Sequence, residues 1–222
     1  MKIILFFNLL WSITTINAIH QLFGSNVFGD SDFAELGEDN LNRELLNELN
    51  LEGEFNSPPN DHEVRAIVLL RGYGHTRGIV HLRQLGSGPT EINGIVAGLR
   101  PSGSHGFHFH EYAVTGDCES AGEHFNPTRM NHGGRSSFHR HIGDLGNVHA
   151  DITGVARFNL IDTAVSLIGP FTVIGRSLVV HVNKDDLGNG LNRESKETGN
   201  SGGRLACGTV RFVHFKRGSL LK

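Results

Sequence analysis

Apolar and polar residues alternate in short runs from residue 64 onward, and turns rich in glycine separate the runs. Alternation with a period of two is typical of β-strands that bury one face. The rhythm predicts an all-β domain, an eight-stranded antiparallel sandwich or flattened barrel. The predicted strands are residues 64–70, 78–85, 91–99 and 103–111, a pair within 148–160, and residues 177–181 and 206–215.

Two segments interrupt this rhythm, residues 112–140 and residues 182–203. Both are longer than an ordinary connection between strands, and such long loops in compact domains usually carry function. The first contains His124 and His132, and the second leads from His181 to Arg204. The pattern therefore places the chemistry where the regular structure ends.

The stretch from Gly106 to Glu111 joins the strand pattern to that chemistry. Side chains on a strand alternate between its faces, so His108 and His110 point one way while Phe107 and Phe109 point the other. Two imidazoles then lie together, and two aromatic rings enter the core. Further candidate ligands follow along the chain, namely His124, His132, His141, Asp144 and His181.

Six imidazoles and one carboxylate are enough ligands for more than one metal ion. Imidazole suits copper and zinc alike, and a set of histidines with a carboxylate suits zinc in particular. Seven further histidines from residue 62 onward fall outside this set and are interpreted as surface residues or as neighbours of the ligands: His62, His75, His81, His105, His139, His149 and His214.

The first 18 residues have the pattern of a secretory signal peptide, with Lys2 before an apolar run and Ala18 at the expected cleavage site. A membrane anchor is the alternative interpretation. A spanning helix needs about 20 mostly apolar residues, and polar residues such as Asn8 and Ser12 interrupt this run. We therefore expect a secreted, extracellular protein with no membrane segment after cleavage.

Residues 19–62 show no strand pattern and form an acidic arm, with nine acids and one base between residues 30 and 54. Leucines at roughly helical spacing allow a short amphipathic helix over residues 40–51 that mediates oligomerisation. A disordered, solvated arm fits the same composition, and both interpretations stay open. The turn residues 57–60 mark the boundary of a domain that spans residues 63–222.

The charge of the chain limits its partners. The whole chain of 222 residues carries a net charge of −3, whereas residues 61–222 have eighteen bases and fourteen acids, a net charge of +4. A mildly basic domain suits a small anionic substrate and lacks the dense basic patch of a nucleic-acid-binding protein. The basic residues near the C-terminus, such as Arg217, are too sparse to form a polyanion-binding tail.

Six sequence strings carry a specific resemblance: GFHFHE, HFNP, NHGG, HIGDLGNV, VVHVNKDDLG and GGRLACG. In order and spacing, from about Val64 to Phe215, they resemble the copper/zinc superoxide dismutases. The resemblance implies a Greek-key β-barrel with bound copper and zinc. It also implies dismutation of superoxide anion to dioxygen and hydrogen peroxide by alternating reduction and oxidation of copper.

The resemblance also implies a role for individual residues. The positions that match the family's copper ligands are His108, His110, His124 and His181. Those that match its zinc ligands are His124, His132, His141 and Asp144, so His124 bridges both metals. Asp185 matches an outer carboxylate that links His108 and His132, and Arg204 matches an arginine that guides the anion towards copper.

Two cysteines, Cys118 and Cys207, form an even pair in a chain expected to reach an oxidising compartment. The matching cysteines of the resembled family form an intrachain disulfide. Two free buried thiols are the alternative, which secretion disfavours.

The chain departs from common family members at two places. The segment between His110 and Cys118 is one residue shorter, which leaves dimerisation through this surface open, although a homo-oligomer fits the family. The second loop contains Arg193, Glu194, Lys196 and Glu197 in a changed charge order. We expect Arg204 to remain the main anion guide, with Lys196 or Arg193 in the outer role and Glu197 opposing it.

Two other functions are alternatives for this fold. A non-catalytic metal-binding or chaperone-like module typically lacks some copper ligands, whereas all ligand positions and Arg204 are present here. A copper-only relative would lack the zinc set, which His132, His141 and Asp144 complete. The sequence therefore favours the enzyme.

Overall fold

The computed structural model describes residues 62–72 and 74–213. Within them, nine strands account for most of the regular structure, with one short α-helix and one 3₁₀ helix (Cys118–Ala121). The strands are β1 (Glu63–Gly72), β2 (Arg77–Leu85), β3 (Thr90–Ala97), β4 (Ser104–His110), β5 (Asp144–His149), β6 (Ala156–Asp162), β7 (Ser177–His181), β8 (Arg204–Thr209) and β9 (Arg211–Phe212); the α-helix is α1 (Arg193–Thr198).

The strands pair in the order β5-β4-β7-β8-β1-β2-β3-β6, and β9 pairs with β1. Every strand pair is antiparallel. Because β3 pairs with β6 and β4 with β7, the connections cross between non-neighbouring strands, as Greek-key topology requires. The predicted all-β fold, an eight-stranded antiparallel sandwich or flattened barrel, is confirmed, and the barrel is nearly closed.

One face of each strand from β1 to β8 contributes to the core inside this barrel. Alternate residues of β1, namely Ala66, Val68 and Leu70, are at most 1% exposed, as the alternating pattern predicts. From β4, Phe107 and Phe109 enter the same core cluster and are fully buried. Burying such an aromatic side chain stabilises the fold by about 1.5–3 kcal/mol, so β4 is held firmly where it presents its histidines.

Two irregularities in the sheet lie beside histidines. The register of the β4–β5 pair shifts between Gly106 and His108. That of the β7–β8 pair shifts between Val180 and His181. Such shifts bend a strand locally and re-aim its side chains. Both shifts lie next to a histidine of the strand.

The predicted last strand, residues 206–215, is wrong in one respect, because Val210 divides it. Val210 N–H donates to the carbonyl of Arg176 at 2.8 Å, and its own carbonyl accepts from Gly175 N–H at 3.0 Å. These bonds take Val210 out of the ladder with β1. The chain therefore forms β8 and then the two-residue β9.

In the described part of the chain, no helix has the length and apolar character needed to cross a membrane. The predictions for the signal segment, for residues 19–61 and for the boundary at 57–60 fall outside the described residues, as do His214 and Phe215. They stay predictions.

Candidate metal centre

The seven predicted ligand residues come together in two groups that share one histidine. The ligand atoms within each group lie within 4.8 Å of one another, and all of these residues are buried. The four-histidine group consists of His108, His110, His124 and His181. The three-histidine–aspartate group consists of His124, His132, His141 and Asp144.

Strand pairing delivers the histidines of the four-histidine group. β4 carries His108 and His110 on one face, opposite Phe107 and Phe109, and it pairs with β7, which ends at His181. The first long loop brings in His124, which forms an isolated antiparallel bridge with His110. The sheet and one loop therefore converge on the same point.

Hydrogen bonds fix which nitrogen of each ring is free. His110 Nδ1 donates to the carbonyl of Gly122 at 2.8 Å, and His181 Nδ1 donates to that of Gly202 at 3.1 Å. Their Nε2 atoms are left facing each other, 3.2 Å apart. His108 instead donates from Nε2 to Asp185 at 2.9 Å, which leaves Nδ1 available. Acceptors of this kind set the tautomer that a metal-binding imidazole needs.

The three-histidine–aspartate group closes around a single oxygen. The Nδ1 atoms of His124, His132 and His141 lie 3.0, 3.0 and 3.1 Å from Asp144 Oδ1. The second oxygen, Oδ2, accepts from the backbone N–H groups of Gly133 at 3.0 Å and His141 at 2.8 Å. Four ligands with bonds of about 2.0–2.1 Å in a tetrahedron would be spaced by about 3.3 Å. This group therefore has the composition and the spacing of a zinc site.

His124 belongs to both groups through opposite sides of its ring. Its Nδ1 faces Asp144, whereas its Nε2 is buried and has no hydrogen-bond partner. The ring lies 4.2 Å from that of His108 and 5.0 Å from that of His110, measured between centroids. One imidazole can therefore offer a nitrogen to each group.

Asp185 ties the two groups together from behind. Its Oδ2 accepts from His108 Nε2 at 2.9 Å and its Oδ1 from His132 Nε2 at 2.8 Å, with the side chain fully buried. Asn147 holds Asp185 through both backbone groups, at 2.8 and 2.9 Å. A rigid carboxylate thus orients one histidine of each group.

Electrostatics distinguish the two groups. Burial and the neighbouring imidazoles push the pKa of His108 and of His110 well below the usual range. The same causes lower the pKa of His181 to about 3. These rings are therefore neutral at physiological pH, the form that binds a metal.

The carboxylates dominate in the other group. Burial opposes a charge on His132, but its hydrogen bonds and charge interactions with Asp144 and Asp185 outweigh burial and raise the pKa of His132 to about 9. Burial also opposes charge on Asp144, yet hydrogen bonds from His124, His132 and His141 hold its pKa far below the usual range. The Asp144 carboxylate is therefore ionised and attracts positive charge.

A second observation also fits bound metal ions, namely buried donor atoms that lack a hydrogen-bond partner. Two buried ring nitrogens of the ligand histidines have no hydrogen-bond partner, and both face the four-histidine group: His108 Nδ1 and His124 Nε2. A buried polar atom without a partner costs about 1–3 kcal/mol, so their concentration here calls for another partner. Metal coordination supplies one, and neutral imidazole is the ligand that both copper and zinc accept.

Arg204 lies at the edge of the four-histidine group, where β8 begins. Its guanidinium donates to the carbonyls of Cys118 at 2.6 Å and Gly122 at 2.5 Å. Its charge contributes to lowering the pKa of His110 and of His181. With 12% of the side chain exposed, Arg204 is held in a fixed place and still reaches solvent.

The predicted disulfide between Cys118 and Cys207 is confirmed. It joins the 3₁₀ helix to β8 and closes a separation of 89 residues. Both cysteines are buried with Ala121 and Val179 in a small separate apolar cluster. The disulfide thus fixes the turn whose carbonyls hold Arg204.

The second loop folds into α1, which the sequence pattern did not predict. The carbonyl of Lys196 accepts from the backbone N–H of His132 at 2.7 Å. Gly199 ends the helix at φ 67°, and a Cβ there would lie 2.0 Å from Asp185 Oδ1. Only glycine fits this position, so α1 packs directly behind Asp185 and His132.

The charged residues of α1 pair with one another or with the loop. Arg193 Nε lies 2.7 Å from Glu197 Oε1, and both side chains are exposed. Lys196 Nζ donates to the carbonyl of Gly188. Arg193 and Lys196 thus both have a partner within the loop, which weakens the expectation that one of them guides anions.

Comparison with known proteins shows the family of this chain. The sequence pattern of the family described as copper/zinc superoxide dismutase (SODC) matches residues 76–210. The chain belongs to the copper/zinc superoxide dismutase family. It is 48% identical to superoxide dismutase [Cu-Zn] of Candida glabrata over 153 residues, which cover 68% of this chain and 99% of that protein. The family reaction is superoxide dismutation, and its cofactors are copper and zinc.

Several residues around the metal centre escaped the sequence interpretation because their hydrogen bonds to it involve backbone groups. Gly122, Gly202 and Asn147 hold site residues in place by hydrogen bonds. His105, interpreted as a surface residue or a ligand neighbour, is buried and donates to the carbonyl of His181 at 2.8 Å. His81 is buried within β2, and burial lowers its pKa to about 4.

Proposed function

We propose that this dismutase works outside the cell and holds its two metals in the two groups described above. Copper would bind to His108, His110, His124 and His181, and zinc to His124, His132, His141 and Asp144. The four-imidazole set suits copper, whereas three imidazoles with a carboxylate suit zinc. The observation that carries the assignment is the orientation of His124, with one ring nitrogen towards each group.

When bound, copper supplies the one-electron acceptor and donor for dismutation, and zinc supplies a fixed positive charge. The chain's residues do the rest. His124 Nε2 is the atom that takes up a proton and passes it to the reduced oxygen species, because it is buried and has no competing hydrogen-bond partner. Burial lowers the pKa of His124 too, but the pKa of His110 lies well below the usual range and that of His181 falls to about 3, so these two rings compete poorly for that proton.

Balance requires two superoxide anions and two protons for each dioxygen and hydrogen peroxide. Arg204 would bring each anion to the four-histidine group, because its guanidinium is fixed beside it and partly exposed. A planar, always charged guanidinium suits a small oxyanion. Asp185 would keep the rings of His108 and His132 from turning while the proton moves on His124.

The extracellular role is supported by two features. Residues 1–18 have the pattern of a secretory signal. The Cys118–Cys207 disulfide is of the kind that persists in oxidising compartments. Expression of the full chain in a secreting host tests the proposal. Protein recovered from the medium should begin at Ile19; protein retained inside the cell with residues 1–18 attached would contradict it.

Single substitutions test the shared ligand. His124→Ala should lower both copper and zinc content, whereas His181→Ala should lower copper content and leave zinc in place. Dismutase activity should fall in both by more than about 100-fold, since loss of even an outer partner of a metal ligand costs 10–100-fold. The exposed His149, bonded to Ser104, provides the control His149→Ala, which should keep both metals. Normal copper, zinc and activity in His124→Ala would overturn the bridging assignment.

A further inference from the structure

Arg176 lies immediately before β7 and makes three contacts with loops around the metal centre. Its Nη1 donates to the carbonyl of Glu111 at 2.7 Å, and its Nε donates to that of Thr172 at 3.0 Å. Its guanidinium carbon lies 3.7 Å from the centroid of the Phe125 ring. The guanidinium is therefore fixed both by hydrogen bonds and by a stacked aromatic ring.

The positions of two of these contacts matter. Glu111 directly follows His110, and Phe125 directly follows His124. The two segments run side by side, since Glu111 N–H donates to the carbonyl of Glu123 at 3.0 Å and Phe125 N–H to that of Phe109 at 2.8 Å. Arg176 thus contacts each segment at the residue that directly follows a histidine of the four-histidine group.

We propose that Arg176 is a positioning residue for copper, which fixes the separation between His110 and His124. This inference rests on the proposed assignment of the four-histidine group to copper. The three-histidine–aspartate group depends on other supports, namely Asp185 and the backbone of Gly133 and Lys196. His124 is shared by both groups, but its Nδ1 lies 3.0 Å from Asp144, a contact that does not involve Arg176. Loss of Arg176 therefore weakens copper binding and changes zinc binding little.

Arginine suits this position in a way that lysine does not. The planar guanidinium donates in its own plane to the carbonyls of Glu111 and Thr172 while its face stacks on Phe125. A lysine ammonium keeps the charge, but it cannot donate two hydrogen bonds in one plane and has no planar face to stack on Phe125. Arg176→Lys and Arg176→Gln should consequently have similar effects on copper.

The experiment measures copper(II) and zinc(II) affinity separately by chelator competition, together with the electron paramagnetic resonance spectrum of bound copper. The variants are Arg176→Lys, Arg176→Gln and the control Arg157→Gln, which removes an exposed arginine paired with Asp151. In both Arg176 variants, copper affinity should fall about tenfold and the copper spectrum should change, with zinc affinity within about twofold of wild type. Arg157→Gln should match wild type.

Each other outcome has a defined meaning. Unchanged copper affinity and spectrum in a folded Arg176→Gln protein, full rescue by lysine, or an equal loss of copper and zinc would overturn the inference. Should Arg176→Gln fail to fold, Phe125→Leu removes the stacked ring and keeps an apolar side chain. Phe125→Leu should then show the same selective loss of copper, and wild-type copper binding in it would overturn the inference. Wild-type protein that binds no copper would instead contradict the proposed function.

Discussion

Arg204 and His110 hydrogen-bond to the same atom, the carbonyl oxygen of Gly122, at 2.5 and 2.8 Å. The charge proposed to guide the substrate and a ring that faces the proposed copper position are therefore anchored to one point. Since the neighbouring turn at Cys118 also accepts a bond from Arg204, any displacement of this turn changes the approach path and the metal geometry together.

The first prediction concerns the approach of superoxide. Arg204→Glu should lower the second-order rate constant by about tenfold or more at low ionic strength, because a focused positive charge raises such rates by 10–10³. Glu197→Gln should raise the rate constant modestly, since it removes a negative charge and frees Arg193 from its 2.7 Å ion pair.

Stopped-flow measurements between about 0.01 and 0.15 M ionic strength check both effects, which should shrink as the Debye length falls from about 30 to 8 Å. Metal content must match wild type in each variant. A rate constant that does not change with ionic strength and is the same in Arg204→Glu and wild type would refute the guiding role of Arg204.

The second prediction concerns Asp185. In Asp185→Asn one carboxylate oxygen becomes an NH₂ group, so the side chain can no longer accept from both His108 and His132. Zinc affinity should fall about 10–100-fold, the usual effect of losing an outer carboxylate. Chelator competition on the purified protein measures it. The matched control is Asp151→Asn, which changes an exposed carboxylate that belongs to neither ligand group. Wild-type zinc affinity in Asp185→Asn would show that Asp185 does not hold His132.

The third prediction concerns the disulfide. Replacing Cys118 and Cys207 together by serine should lower the free energy of unfolding of the metal-free protein by about 2–4 kcal/mol. The bond closes a long loop of 89 residues, which the unfolded chain otherwise leaves free. Urea unfolding with and without a reductant checks the value. Reduction should destabilise wild type to the level of the double variant and leave the variant unchanged; equal stability in all samples would contradict the prediction.

The fourth prediction concerns pH and an ion-pair cluster on the barrel wall. Glu63 lies 2.6 Å from Arg65 and 2.7 Å from Arg83, with its side chain 4% exposed. The hydrogen bond from Arg65 is the main cause that lowers the pKa of Glu63, and Arg83 adds to it against the effect of burial. Glu63→Gln should therefore destabilise the metal-free protein at pH 7 by about 1.5–3 kcal/mol, the range for a charged hydrogen bond.

The sign of the pH effect follows from that lowered pKa. The native-state pKa of Glu63 lies below its unfolded-state value of about 4.3, so the stabilisation is complete at neutral pH and is lost as the pH falls through the native-state pKa. Urea unfolding of wild type and Glu63→Gln from pH 7 down to pH 3 should show the difference narrowing below about pH 4.3. A difference that is constant or grows on acidification would rule out this account.

The sequence predicted those features of the fold that depend on local residue patterns. Alternation along β4 separated His108 and His110 from Phe107 and Phe109, and the structure places the two rings in the core as expected. The motif order brought Asp144 and Asp185 to the site from distant positions, which composition alone does not reveal. Pattern and motif thus predicted the barrel and the ligand groups.

Contacts that depend on the backbone were beyond a sequence pattern. Helix α1 has six residues, too few to be stable by propensity alone. Two residues outside the helix hold it in place: Asp186, which accepts from the Ser195 hydroxyl at 2.9 Å, and His132, whose backbone N–H donates to the Lys196 carbonyl. Likewise Val210 leaves its strand for the turn before β7. Neither the helix nor the break between β8 and β9 can be predicted from the residues of that segment alone.

The pairing of β1 with β9 has a topological consequence. Val213 N–H donates to the carbonyl of Arg65 at 3.0 Å, so the last described residue lies beside the first strand. A short linker from residue 213 to residue 62 would join the barrel into a ring, and new termini could open at the turn around Gly86. Every proposed metal-site residue falls between 108 and 204 and would keep its order along such a permuted chain. Synthesis would then begin at β3, with β1 and β2 made last, and the metal centre would be complete before the barrel could close.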